Sequence, residues 1–241
     1  MTTRQPIPTQ PAHHTVPDLF PIRALIFDFD GLIVDTESTG YQTWRALFAE
    51  QGEDLSIETY AAVIGTDFGV AGYDPRRDLE QRTGRRFDWQ VIEPQRLAHE
   101  RRINDGLTLL RGVKTWLEDA EALGLPCAIA SSSPRSWVAG WVERLGIASA
   151  FQNLTTVDDT GRVKPDPSLF LLAAERLKQP AENILILEDS LNGLRAAQAA
   201  GIRCLAVPGP MTQHLDFSAA WHRTASLAEV RLASLLPSPT P

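Results

Sequence analysis

The chain has 241 residues, 43% hydrophobic and 22% charged, an ordinary globular balance that allows one large domain or a main domain carrying an insert. With 23 Lys and Arg against 30 Asp and Glu it carries a net charge of −7 and no basic block, so neither nucleic acid nor an acidic membrane surface is an expected partner. No stretch reaches the ~20 apolar residues of a membrane span, and the N-terminus lacks a secretory pattern. Cys127 and Cys204 sit singly in apolar, strand-like runs, so free buried thiols in a reducing, cytoplasmic setting are expected.

Residues 1–21 hold Pro6, Pro8, Pro11, Pro17 and Pro21 among polar residues with little to bury, and read as a loosely attached tail; 237–241 is similar. Residues 24–27 then form a short apolar run, the composition of a buried parallel strand, ending in Asp28-Phe-Asp-Gly31. From 38 to 105 the pattern changes to amphipathic helices over 41–51, 57–64, 75–82 and 89–103, with no convincing strand. This block is expected to be a helical cap inserted into a core made of 22–37 and 106–236, with hinges at 36–40 and 104–110.

Beyond the block, helix and strand alternate. A helix over 112–123 leads to a strand at 127–130, and a helix over 134–145 follows, with Pro134 suited to its first turn. A weaker strand is expected at 153–156 and a helix at 167–177, before a strand at 184–187, a helix at 191–200 and a last strand at 204–207. Alternation of this kind predicts an α/β protein with a Rossmann-like parallel sheet between two layers of helices.

The polar residues that carry chemistry stand beside these strands. Asp28 and Asp30 end the first one and point the same way if the extended backbone persists. Two such carboxylates at the carboxyl edge of an open α/β sheet call for a hard cation between them, although an isolated Asp-x-Asp-Gly is also a common polar turn. Ser131, Ser132 and Ser133 follow the second strand, where hydroxyls and backbone N–H groups suit a phosphate oxygen or merely cap a helix. Lys164 precedes a proline-rich turn, and Glu188 and Asp189 close the fourth strand. Each signal is weak alone. In this order they supply acids, a hydroxyl and a cation at one sheet edge, the parts of a phosphoryl-transfer site.

Four separated motifs carry a resemblance over roughly 23–210: Asp28-Phe-Asp-Gly-Leu-Ile-Val-Asp-Thr-Glu37, Ser131 after its strand, Lys164-Pro-Asp-Pro167, and Glu188-Asp-Ser-Leu-Asn-Gly-Leu-Arg-Ala-Ala197. The chain resembles the haloacid dehalogenase-like hydrolase superfamily, in the helical-cap branch similar to phosphoglycolate phosphatase and β-phosphoglucomutase. The resemblance implies Asp28 as nucleophile, forming an aspartyl-phosphate, and Asp30 as general acid and base. It also implies Mg²⁺ held by Asp28, the Asp30 carbonyl and Asp189, with Glu188 acting directly or through water. Ser131 and Lys164 would grip the phosphoryl oxygens of a small phosphorylated substrate, assisted by backbone N–H groups at Gly31 and Ser132. The oligomeric state stays open.

Within that superfamily, Asp30 disfavours dehalogenation, because a halide leaving group needs no proton. The 38–105 block contains no lysine, which excludes the imine chemistry of phosphonoacetaldehyde hydrolases. A phosphosugar mutase must hold a second phosphate, and Gly65-Thr66-Asp67-Phe68 lacks the arginine of the corresponding mutase loop, while Gly40-Tyr41 stands near the expected histidine. Arg45, Arg76 and Arg77 are candidates to replace that arginine, and Tyr41, Trp44, Phe68 and Tyr73 candidates to line a leaving-group pocket. A phosphatase is favoured, with the mutase and a catalytically silent phosphate- or metal-binding module as alternatives.

Overall fold

The computed structural model describes residues 20–68 and 72–236; the expected tail at 1–21 lies outside them except for its last two positions, and that at 237–241 entirely. Six strands form one parallel sheet in the order β3-β2-β1-β4-β5-β6. They are β1 (Ala24–Phe27), β2 (Cys127–Ser131), β3 (Asn153–Thr156), β4 (Ile184–Glu188), β5 (Arg203–Ala206) and the short β6 (His222–Arg223). β1 lies between β2 and β4, and its four residues are fully buried. Its pleat sends Leu25 and Phe27 into the apolar cluster on one face and Ala24 and Ile26 into the cluster on the other. That two-sided burial is why the run is continuously apolar rather than alternating.

Helices cover both faces. Among the described residues, the block up to residue 104 holds α1 (Thr36–Glu50), α2 (Ile57–Ala61), α3 (Pro75–Thr83) and α4 (Trp89–Asn104). They enclose a separate apolar cluster of Tyr41, Trp44, Phe48, Leu55, Tyr60 and Leu79, joined by Met211 from the loop after β5. Then come α5 (Val113–Ala122), α6 (Arg135–Arg144), α7 (Val157–Thr160), α8 (Ser168–Leu177) and α9 (Leu191–Ala199). Trp116 of α5 and Phe170 of α8 are fully buried on opposite faces of the sheet.

The strands and long helices fall within a few residues of the expected positions, with instructive exceptions. α1 starts at Thr36, so the anticipated hinge at 36–40 is the first helical turn; the Asp35 carboxylate caps it, accepting from Ser38 N at 3.2 Å. The two connections to the helical block are also tied together, Thr39 Oγ1 donating to Asn104 Oδ1 at 2.7 Å. The short α7 and the two-residue β6 carry too few residues to show a period in sequence. Both cysteines are free and buried, and burial pushes the Cys127 thiol up to about 12. Among the described residues, no helix is long and apolar enough to cross a membrane.

Candidate active site

At the carboxyl edge of the sheet, β1 delivers Asp28 and β4 delivers Glu188 and Asp189, all buried. The reason is register: Phe27 pairs with Leu187, so the residues just past them emerge side by side. Lys164, in the segment between α7 and α8, is fully buried and donates to both Asp28 Oδ1 and Glu188 Oε1, the latter at 2.5 Å. The other Glu188 oxygen accepts from Ser190 N at 3.0 Å and Ser190 Oγ at 2.9 Å. Ser190 in turn caps α9 by accepting from Gly193 N. Glycine is required at 193, because a Cβ there would stand 1.8 Å from the Glu188 carboxylate.

Asp28 Oδ2 and Asp189 Oδ1 are buried without a hydrogen-bond partner. Burial, reinforced by Glu188 and opposed by Lys164, pushes Asp28 up to about 8. Burial and the charges of Asp28 and Glu188 likewise hold Asp189 well above the carboxylate range. Three carboxylates face one ammonium, and the excess negative charge asks for a cation. Asp28, Glu188 and Asp189 each place one oxygen within 4.8 Å of the others. An all-oxygen donor set of this compactness, with two orphaned oxygens, fits a hard divalent ion.

Asp30 faces a different way. Its Oδ1 accepts from Thr36 Oγ1 at 2.6 Å and Trp137 Nε1 at 2.8 Å, and its Oδ2 from Ser133 Oγ at 2.6 Å and Ser131 Oγ at 3.4 Å. Four donors from three elements thus fix a carboxylate that stands outside the compact three-acid group. The chain turns sharply after Asp30: Gly31 has φ +83° and donates its N–H to Val34 O at 2.7 Å. The Gly31 N–H is therefore spent inside its own turn rather than offered to a phosphate oxygen. What the glycine provides is space, since a Cβ would meet the Asp189 carboxylate at 2.1 Å. The Ser132 side chain is similarly committed, donating to Gly65 O at 2.9 Å and accepting from Lys164 N at 3.1 Å.

The helical block closes over this edge. Besides the Ser132 contact, Asn192 Nδ2 donates to Ile64 O at 2.9 Å, docking the turn after α2 onto α9. A cavity of ≈ 730 Å³ opens between block and sheet, with Asp30, Ser133 and Trp137 on the sheet side and Glu37, Trp44, Tyr60, Phe68, Arg96 and Glu100 opposite. Burial and the nearby charges of Asp30 and Asp28 raise Glu37 well above the usual carboxylate range.

Asp28, Lys164, Glu188 and Asp189 thus meet, and Asp30 and Ser131 adjoin them. Of the aromatics singled out in sequence, Trp44 and Phe68 line the cavity, while Tyr41 donates to Leu55 O and Tyr73 to Asp78. Arg45 and Arg76 pair with Asp54 and Asp74, and Arg77 lines a separate surface groove, so none of the three reaches the cavity. Arg96, Glu100, Tyr60 and Trp137 were not singled out from sequence. Arg96 was legible only as part of the Glu93/Arg96/Glu100 spacing on a helix; Trp137 carried no signal beyond following the serine run by one turn.

Gly40 also finds its reason here. A Cβ at that position would approach the Tyr60 hydroxyl to 2.9 Å, so the small residue lets Tyr60 reach the cavity.

The chain is 39% identical over 215 residues to YhcW of Bacillus subtilis (strain 168), covering 89% of this chain and 96% of that one. It is 31% identical over 195 residues to phosphoglycolate phosphatase of Pectobacterium atrosepticum, covering 77% and 80% of the two chains. A crystal structure of a CbbY mutant from Rhodobacter sphaeroides in complex with xylulose-(1,5)bisphosphate superimposes with a TM-score of 0.68 at 27% identity, covering 90% of this chain and all (100%) of that one. The sequence profile of haloacid dehalogenase-like hydrolases matches residues 22–201, three quarters of the chain. With the parallel sheet, its buried acidic corner and these likenesses together, the chain belongs to the haloacid dehalogenase-like hydrolase family.

Proposed function

We propose that the protein is a Mg²⁺-dependent phosphatase that hydrolyses a small phosphorylated metabolite through an aspartyl-phosphate on Asp28. The observation that carries this reading is the pair of orphaned oxygens on Asp28 and Asp189 beside a lysine shared by Asp28 and Glu188. Asp28, Asp189 and Glu188 would hold the ion. Bound there, it would supply the positive charge that keeps Asp28 ionised and offsets repulsion between carboxylate and phosphate.

Asp28 attacks phosphorus, forming an O–P bond as the bond to the leaving alcohol breaks. Asp30, held at the cavity floor by Thr36, Ser133 and Trp137, gives the departing oxygen its proton. In the second half it takes a proton from water, which attacks the aspartyl-phosphate, releases inorganic phosphate and restores Asp28. Lys164 uses two of its three N–H donors on carboxylates and keeps one for a phosphoryl oxygen. Ser131, at the end of β2, donates a second hydrogen bond to that group. The helical block acts as the cap that excludes water during attack.

Phosphate release from an aryl phosphate is the direct assay. It is expected to require added Mg²⁺, to stop on chelation with EDTA, and to fall by at least ~1,000-fold in Asp28→Asn. Activity that survives both treatments would remove Asp28 and the ion from the mechanism.

A further inference from the structure

The cavity above Asp30 says what kind of leaving group it accepts, provided the phosphatase reading holds. Arg96 is the one cationic side chain lining it among the described residues. Four of that guanidinium's five N–H donors are already taken, and its charge is matched by two carboxylates. Glu93 takes its Nε at 3.3 Å and its Nη2 at 2.8 Å; Nη1 is shared between Glu100 at 2.6 Å and Thr43 Oγ1 at 2.9 Å. It also lies over the Trp44 ring, 4.5 Å from the centroid, with its side chain only 9% exposed.

The rest of the lining adds acid rather than base: Asp30, Glu37 and Glu100 face the same space. A second phosphate or a carboxylate on the leaving group would lose its hydration among these groups and find no free cation in return. Hydroxyl groups, by contrast, have acceptors in Glu37 and Glu100 and a partner in the Tyr60 hydroxyl, while Phe68 and Trp137 offer apolar surface to the carbon skeleton.

We infer that this cavity selects monophosphate esters of neutral, hydroxyl-bearing alcohols and rejects esters whose leaving group carries a second anionic group. The inference separates this chain from two of its likenesses, since phosphoglycolate carries a carboxylate and xylulose-1,5-bisphosphate a second phosphate.

Matched ester pairs test it on the intact protein with Mg²⁺: 2-hydroxyethyl phosphate against phosphoglycolate, and a hexose 6-phosphate against the hexose 1,6-bisphosphate. The neutral member of each pair is expected to have a kcat/KM at least about tenfold higher. Glu93→Gln, at a residue that does not line the cavity, loosens the grip on Arg96; it should raise kcat/KM for the anionic members several-fold while leaving aryl phosphate turnover unchanged. Anionic members hydrolysed as fast as the neutral ones, or faster, would overturn this inference and leave the phosphatase reading intact, as would an unmoved ratio in Glu93→Gln. Release from none of the esters, aryl phosphate included, would overturn the phosphatase reading and this inference with it.

Discussion

The two walls of the cleft hold their charges in different ways. On the sheet side, Lys164, Glu188 and Ser190 are fully buried, and their contacts join residues from β1, β4, the start of α9 and the segment before α8. On the helical side, Arg96 pairs with Glu93 and Glu100 three and four residues away on one helix. A buried ionic corner of the first kind is stable only when every member is present, because removing one leaves its partners charged and unsolvated. A helix-borne set of the second kind is rearranged by single substitutions at modest cost. On the proposed reading, reaction chemistry and selectivity rest on separate elements, so the selective wall can change without disturbing the reactive one.

The sharpest way to break that contrast is Lys164→Ala. It is expected to lower turnover of an aryl phosphate roughly 30- to 1,000-fold and to destabilise the fold by about 3–5 kcal/mol, read by urea unfolding, through the two carboxylates it abandons. A turnover loss below threefold would remove Lys164 from the phosphoryl group. Gly193→Ala probes the same wall sterically. Alanine ordinarily favours a helix over glycine by about 1 kcal/mol, but here its Cβ would meet the Glu188 carboxylate at 1.8 Å. A net loss of about 1–3 kcal/mol is expected, and a stabilised variant would show that the corner yields easily.

Between the walls, Trp137→Phe removes one donor to Asp30 while keeping the ring. About tenfold in kcat, with KM little changed, is the expected loss if the indole positions the general acid; an effect on KM alone would assign it to binding.

The smallest effect is expected away from the cleft, at Asp159. Partial burial opposes its ionisation, yet hydrogen bonds from Arg176 and the Thr156 N–H and the charge of Arg135 bring it down to about 2. A depressed carboxyl stabilises the fold above its unfolded pKa, and that contribution is lost as pH falls through the folded value. Asp159→Asn should therefore cost about 1 kcal/mol at neutral pH, reduced from the full shift because its arginine partners are 34% and 43% exposed. The difference from the parent should vanish between about pH 4 and pH 2, as urea titrations at stepped pH would reveal.

Much of the sheet-side wall was legible because its residues other than Lys164 stand at or just past the end of a strand with its own apolar signature. Asp28, Ser131 and Glu188 could be placed at a common sheet edge once β1, β2 and β4 were read as parallel. The partners of Asp30 were less accessible. Thr36, Ser133 and Trp137 lie on three elements, and nothing in their spacing announces that their side chains converge on one carboxylate. Gly31 looked like a backbone donor, but its N–H closes a turn to Val34, and its value lies in the side chain it lacks. The segment 36–40, expected as a linker, is helical for a local reason: Asp35 is a good N-cap, so helix begins at once.

Local composition alone determined that this chain would form a two-sided parallel sheet, since runs such as Ala24–Phe27 are apolar at every position and strand and helix periods alternate after residue 112. Only the folded arrangement decided which arginine faces the cleft, that its charge is already matched, and that two carboxylate oxygens are left without partners. The physical reason is range: periodicity and capping are governed by neighbours a few residues away, whereas the hydration and pairing of a charge depend on atoms brought from distant parts of the chain.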